Sequence, residues 1–224
     1  SHETCDITDY TWTLGYYLMI TGEGRYADAI EKAVFNAGPG AATKDFKALQ
    51  YFSSVNQFIA TGSSDHNEFK KGSTWMAYRP THETECCAGN IHRFMPDYVA
   101  RMWLEGETED ELVAAMYGPS EVRHTLSDGK VVTVLEDTDY PFDGEIRFEF
   151  SMDKSARFPL TFRVPGWCKD AEIQVNGSGY DLVPDDDGFY TLERRYRDGD
   201  VITLLFDMPV EVKGWPEGAE PHSD

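Results

Sequence analysis

The sequence has no run of about 18 apolar residues, the length that a membrane-crossing helix requires, so no membrane partner is expected. It has no basic excess either. Acidic side chains number 40 against 20 basic ones, a net charge of −20. Nucleic-acid binding needs a basic footprint, so nucleic acid is not an expected partner, and an anionic membrane surface is excluded on the same ground. Cysteine is scarce, four in 224 residues, too few for the disulfide framework of a small secreted domain. The first residues show neither a basic region nor an apolar run, so no targeting signal is read and the compartment stays open. Internal repeats and low-complexity linkers are also missing. The acidic stretches 105–111 and 185–187 read as solvated loops rather than calcium sites. What remains is an ordinary globular composition, 41% apolar and 13% aromatic, long enough for one well-buried core or two modest domains.

The chain changes character near residue 113. This predicts an α+β multidomain protein, with a helical part over 1–112 and a β-sandwich over 113–224. In the helical part, Asp9 is placed to cap a segment carrying Tyr10, Leu14, Tyr17 and Leu18 on one stripe and ending at Gly22. A second helix is predicted over 25–36, stopped by Gly38-Pro39-Gly40. A third is predicted over 90–104, with Pro96 in its first turn or at a kink. The stretch 49–79 reads as a functional loop region. Beyond 113, strands are predicted at 113–117, 121–126, 131–136, 145–150, 160–164, 172–176, 189–194 and 201–206. Turn signals such as Asn176-Gly177 and Asp198-Gly199 separate them, the spacing of an antiparallel sandwich.

Three of the four cysteines fall in two short segments, Glu3-Thr4-Cys5 and Glu85-Cys86-Cys87. Cys168 stands apart and reads as a small packed residue. Adjacent cysteines are poor disulfide partners, because their Cα atoms are ~3.8 Å apart and disulfides prefer roughly 4.4–6.8 Å. Glu3 and Cys5 are two apart and point the same way if the backbone is extended. Cys86 and Cys87 precede a predicted helix, whose amide groups favour thiolate. One carboxylate and three thiolates would suit tetrahedral zinc. This is not the usual pair of CxxC knuckles, and the spacing equally admits two buried cysteines with an unrelated one upstream. A depressed thiol pKa would make Cys86 or Cys87 a nucleophile, with Glu83 and Glu85 as acid/base candidates. Each of these glutamates is also ordinary loop surface. His2, His82 and His92 flank the same segments, as substrate contacts or as structural histidines. Tyr51, Phe52, Trp75 and Tyr78 offer either a sugar-stacking platform or core packing.

The segments 2–7 (HETCDI), 21–28 (TGEGRYAD) and 85–94 (ECCAGNIHRF) follow one another in an order and spacing that resembles the β-L-arabinofuranosidase family, glycoside hydrolase family 127, formerly a domain of unknown function. The β half is similar as well, through Arg163-Val164-Pro165-Gly166-Trp167 and Val175-Asn176-Gly177. The resemblance implies helices from the C-terminal part of an (α/α)6 catalytic barrel, followed by a β-sandwich. It implies a zinc-dependent retaining glycoside hydrolase acting on β-L-arabinofuranosides or related glycans, so the implied partner is a carbohydrate substrate. By motif position, Glu3, Cys5, Cys86 and Cys87 match the zinc ligands, and Cys86 matches the nucleophile.

Some features depart from the family pattern. The family's acid/base glutamate lies upstream of the position of Ser1. Family members also continue past the position of Trp215. The chain is therefore expected to be part of a larger enzyme and inactive by itself. A tyrosine that better-known members carry before a Val-Asn pair is matched here by Ser54, ahead of Val55-Asn56. Ala88-Gly89 replaces the more familiar Pro-Pro. An incomplete barrel would expose apolar helix faces, and a homodimer or the chain's own loops would cover them. The alternative reading is a non-catalytic carbohydrate-binding or structural module with a structural zinc site.

Overall fold

The computed structural model describes residues 2–53, 59–64 and 74–212. Ser54, Val55, Asn56 and Trp215 lie outside them. The chain divides into two compact units, one formed by Ser1–Gly15, Ala29–Tyr98 and Val210–Asp224, the other by Tyr16–Asp28 and Val99–Pro209.

In the first unit, strand β1 (His2–Glu3) leads directly into helix α1 (Thr4–Thr21), which belongs here as far as Gly15. The helix begins five residues ahead of the expected Asp9 cap. Asp6 explains the difference. Its carboxylate accepts the Glu3 N–H at 3.2 Å, so an acidic residue in the first turn satisfies a free amide of the entry segment. Helix α2 (Arg25–Lys32) continues as a π-helical segment, Ala33–Ala37, and then as the short α3 (Gly38–Gly40). Gly38-Pro39-Gly40 was expected to stop the helix. The helical run carries through Pro39 by way of the π-helical segment and ends just after it, at Gly40. Strand β2 (Phe52–Ser53) pairs antiparallel with β1, setting Glu3 opposite Phe52.

The predicted helix over 90–104 is replaced by three short pieces. Helix α4 (Cys86–Asn90) passes into a 3-10 turn (Ile91–Arg93) and then α5 (Phe94–Val99), with Pro96 in the first turn of α5. Beyond Val99 the chain turns to strand at Trp103, where it pairs with the segment 112–114.

The second unit is a β-sandwich. Strands β3 (Trp103–Glu105), β4 (Leu112–Ala114), β8 (Ala156–Arg163) and β11 (Phe189–Tyr196) form one sheet in the order β11-β8-β4-β3. The other is six-stranded and antiparallel throughout. It holds β5 (Ser120–Thr125), β6 (Val131–Thr138), β7 (Glu145–Met152), β9 (Ala171–Val175), β10 (Ser178–Asp181) and β12 (Val201–Phe206), in the order β10-β9-β12-β7-β6-β5. All eight predicted strands are present. Two were not foreseen, β3 and β10, and the β4–β8 pair is parallel.

Alternation does the sorting. Ile146, Phe148, Phe150 and Met152 all point inward from β7, and Phe158, Leu160 and Phe162 from β8. Phe148 meets Phe162 at 5.2 Å between ring centres, and Phe150 stacks on Tyr196 at 4.8 Å, so the two sheets share one core. Burying each such ring contributes roughly 2–3 kcal/mol. Asn176 and Gly177 close the β9–β10 hairpin with φ of 49° and 79°, the backbone of a type I′ turn.

Candidate functional site

The two cysteine segments meet in the first unit. β1 carries Glu3, the first turn of α1 carries Cys5, and the first turn of α4 carries Cys86 and Cys87. One ligand atom from each of the four lies within 4.8 Å of all the others. The sulfurs of Cys5 and Cys87 are 3.3 Å apart. Glu3 Oε1 lies 3.5 Å from Cys86 Sγ and 3.7 Å from Cys87 Sγ. Tetrahedral zinc at ordinary bond lengths would hold two sulfurs about 3.8 Å apart, and a sulfur and an oxygen about 3.5 Å apart. The four side chains are close enough together to hold a small cation. The fit does not rest on the extended Glu3-x-Cys5 backbone that the sequence suggested. Cys5 is already helical, and the strand-to-helix corner between Glu3 and Cys5 aims both at one point.

Burial grades the thiols. Cys87 is fully buried, Cys5 is half-buried and Cys86 is exposed. Cys87 packs with Leu49 and Tyr51, with Phe52 and Trp75 against the same cluster. Burial pushes the Cys87 thiol far above its usual range. Burial also raises Cys5, opposed by a hydrogen bond from Asn90. Two thiols that resist ionisation side by side are what a cation would reverse, with release of protons on binding.

Tyr51, considered from sequence as a stacking ring, has a second role. Its hydroxyl lies 2.9 Å from Cys86 Sγ. The hydrogen bond to Cys86, then burial, pushes the phenol far above its ordinary range. Tyr51 also stacks on Trp75 at 4.8 Å and meets Phe52 edge-on. These three rings come together as packing around Cys87. Tyr78 is engaged elsewhere, donating to the Gly40 carbonyl at 2.7 Å.

His82 is buried, with Nε2 2.8 Å from the Leu49 carbonyl, and its ring lies edge-on to Tyr51. His2, His92, Glu83 and Glu85 are exposed. Asn90 went unnoticed as a functional side chain. It stands four residues after Cys86 and three after Cys87, the helical spacing that places it beside the cluster. Its Nδ2 lies 3.5 Å from Cys5 Sγ. A cavity of about 870 Å³ opens nearby, lined by His2, Asp6, Tyr10, Lys32, Asn36 and Tyr78 among others. None of the four clustered residues lines it.

Comparison with known proteins gives matches along most of the chain. Residues 1–100 match the model of the β-L-arabinofuranosidase GH127 catalytic domain, and residues 111–208 match that of the GH127 middle domain. The non-reducing end β-L-arabinofuranosidase of Bifidobacterium longum subsp. longum is 24% identical over 222 residues, which cover 94% of this chain and 31% of that protein. The crystal structure of a GH127 β-L-arabinofuranosidase from Geobacillus stearothermophilus T6 superposes with a TM-score of 0.78 at 27% identity. It covers 96% of this chain and 33% of its own. A further GH127 β-arabinofuranosidase structure shares the fold, with a TM-score of 0.73, 22% identity, and coverage of 92% and 32%. The chain thus spans about a third of the length of these relatives.

Proposed function

Because the chain belongs to the GH127 β-L-arabinofuranosidase family, we propose that it carries the thiolate centre of a zinc-dependent retaining glycoside hydrolase acting on β-L-arabinofuranosides or related glycans. The observation that carries this reading is the convergence of Glu3, Cys5, Cys86 and Cys87 within 4.8 Å, with Cys86 the exposed thiol among them. In this proposal α1–α5 belong to an (α/α)6 barrel as the catalytic part, and the strands from β3 onward form the β-sandwich.

Glu3, Cys5, Cys86 and Cys87 would hold the zinc ion. When bound, the ion supplies positive charge that keeps the thiols ionised. Cys86 Sγ attacks the anomeric carbon. The sulfur–carbon bond forms as the glycosidic carbon–oxygen bond breaks, and the departing oxygen takes a proton from a general acid. Water then attacks the same carbon, giving a proton to the conjugate base of that general acid, the sulfur–carbon bond breaks, and Cys86 returns as thiolate. Two displacements retain the configuration, with sulfur in the place of the usual nucleophilic carboxylate. Tyr51 holds the Cys86 sulfur in position through its hydroxyl. Cys87, buried under Leu49 and Tyr51, serves as ligand and stays out of the chemistry.

The test is Cys86→Ala in the protein carrying the whole catalytic domain. Turnover of an aryl β-L-arabinofuranoside is expected to fall at least about 10³-fold, as when other enzymes lose a nucleophile. A glycosyl adduct should appear on Cys86 by mass spectrometry when the unaltered protein is quenched. Full activity in Cys86→Ala, with stability still sensitive to chelators, would instead assign the cluster to a purely structural zinc site.

A further inference from the structure

We propose that Asn90 and Arg93 are positioning residues that fix Cys5 as the non-reacting thiolate of the cluster, Asn90 by donating its amide N–H to the sulfur and Arg93 by locking the orientation of that amide. The proposal rests on the metal reading of Glu3, Cys5, Cys86 and Cys87. Asn90 Nδ2 lies 3.5 Å from Cys5 Sγ, and Arg93 Nη1 lies 3.2 Å from Asn90 Oδ1. A guanidinium can only donate, so the atom that faces Arg93 is the amide oxygen. The NH₂ group is thereby turned to the sulfur. The amide cannot flip without setting two donors against each other at one end and bringing its oxygen against the thiolate at the other.

Arg93 is held in its turn by α1. Its Nη1 is 3.4 Å from Asp9 Oδ1, and its guanidinium carbon sits 4.8 Å from the ring centre of Trp12. Cys5, Asp9 and Trp12 are spaced four and three apart, so one stripe of α1 presents both the thiol and the two groups that seat its brace. The chain Asp9–Arg93–Asn90–Cys5 runs between α1 and the segment that follows Cys86 and Cys87. It couples the two halves of the cluster through side chains that are not themselves ligands. Such outer partners typically account for 10–100-fold in metal affinity. An N–H directed at the sulfur also draws charge from it, which keeps Cys5 a ligand and leaves the chemistry to Cys86.

The test measures zinc affinity by chelator competition on the 224-residue chain, with cobalt(II) as a spectroscopic substitute. Asn90→Ala is expected to weaken zinc binding 10–100-fold and to shift the sulfur-to-cobalt charge-transfer band. Arg93→Ala is expected to weaken it less, and Arg93→Lys to restore part of that loss. The double variant should bind no more weakly than Asn90→Ala alone, because Arg93 acts through Asn90. Affinity equal to the unaltered chain in either single variant overturns the proposal. So do losses that simply add in the double variant, which would mark two independent structural effects. If Asn90→Ala does not fold, Arg93→Ala and Arg93→Lys decide alone. Failure of zinc to bind the unaltered chain at all overturns the metal reading, and this proposal with it.

Discussion

The two units bury polar groups in opposite ways. In the sandwich unit, buried charge is matched from within. Arg163 is wholly buried, yet its Nη1 meets Asp28 Oδ1 at 2.6 Å, its Nε donates to the Ala115 carbonyl at 2.6 Å, and Tyr117 donates to its backbone carbonyl. Asp28 in turn accepts the Gly166 N–H at 3.0 Å, an approach that a side chain on Gly166 would block. Glu136, equally buried, accepts from Gly118 N and from the Ser120 hydroxyl. In the first unit, Cys5 and Cys87 lie against each other, with Glu3 beside them and, among the described residues, no cationic side chain bonded to the three. One region is closed electrostatically by its own residues. The other is arranged so that a cation would close it.

The sharpest way to break this contrast is to add and remove the cation. Thiolate-rich structural sites hold zinc with an apparent 10–16 kcal/mol. Chelation should therefore lower the thermal stability of the zinc-loaded chain by the largest margin of any change considered, and added zinc should restore it. Cys87→Ala should abolish the response. A melting profile indifferent to both zinc and chelator would mean that the thiols are simply packed, and the contrast would fall.

The closed region should fail when one internal partner is taken away. Asp28→Ala leaves the Arg163 guanidinium buried without its carboxylate. Breaking such a pair typically costs about 3–5 kcal/mol. Urea unfolding of the chain should show that loss, with no change in zinc affinity. A loss below about 1 kcal/mol would show that Ala115 and Tyr117 suffice for Arg163.

Glu136 sharpens the comparison through pH. Burial pushes its carboxyl up to about 7, against the opposing hydrogen bonds of Gly118 and Ser120. The ordinary carboxyl value applies when the chain is unfolded, so between about 4.5 and 7 folding retains a proton that the unfolded chain gives up. The contribution is full below the unfolded value and is lost as pH rises through the folded one, about 3 kcal/mol in all. Stability followed by urea unfolding from pH 5 to pH 8 should fall by that order. Glu136→Gln should flatten this slope, and an unchanged slope in Glu136→Gln would assign the pH dependence elsewhere.

These cases also mark what the sequence could tell. Alternation in stretches such as Ile146-Arg147-Phe148-Glu149-Phe150 made eight strands legible, because each side of a strand faces a different medium. Strand β3 was hidden because Ile91, Phe94, Met95, Tyr98 and Met102 fit a helical stripe that runs up to it, and only tertiary pairing with β4 decides between the two. The cluster was legible in its membership, since Glu3, Cys5, Cys86 and Cys87 stand in two compact motifs. Its supports were not. Tyr51 lies 35 residues from Cys86 and Asp9 lies 84 from Arg93, and no local pattern announces contacts at that distance. The Arg163–Asp28 pair, 135 residues apart, was invisible for the same reason.

The smallest expected effect tests whether burial, rather than charge itself, separates the matched pairs from the rest. Arg157 on β8 and Glu193 on β11 meet diagonally at 2.9 Å, closer than some contacts in the thiol cluster, yet their side chains are 61% and 58% exposed. Water already solvates both groups, and holding two long side chains in one geometry costs entropy. Exposed pairs are typically worth about 0.2–1 kcal/mol. A double-mutant cycle of Arg157→Ala and Glu193→Ala should give a coupling in that range, vanishing at high salt. If the coupling instead approached that of Arg163 and Asp28, proximity alone would govern these pairs, and burial would lose its place as the property that sets the inner pair apart.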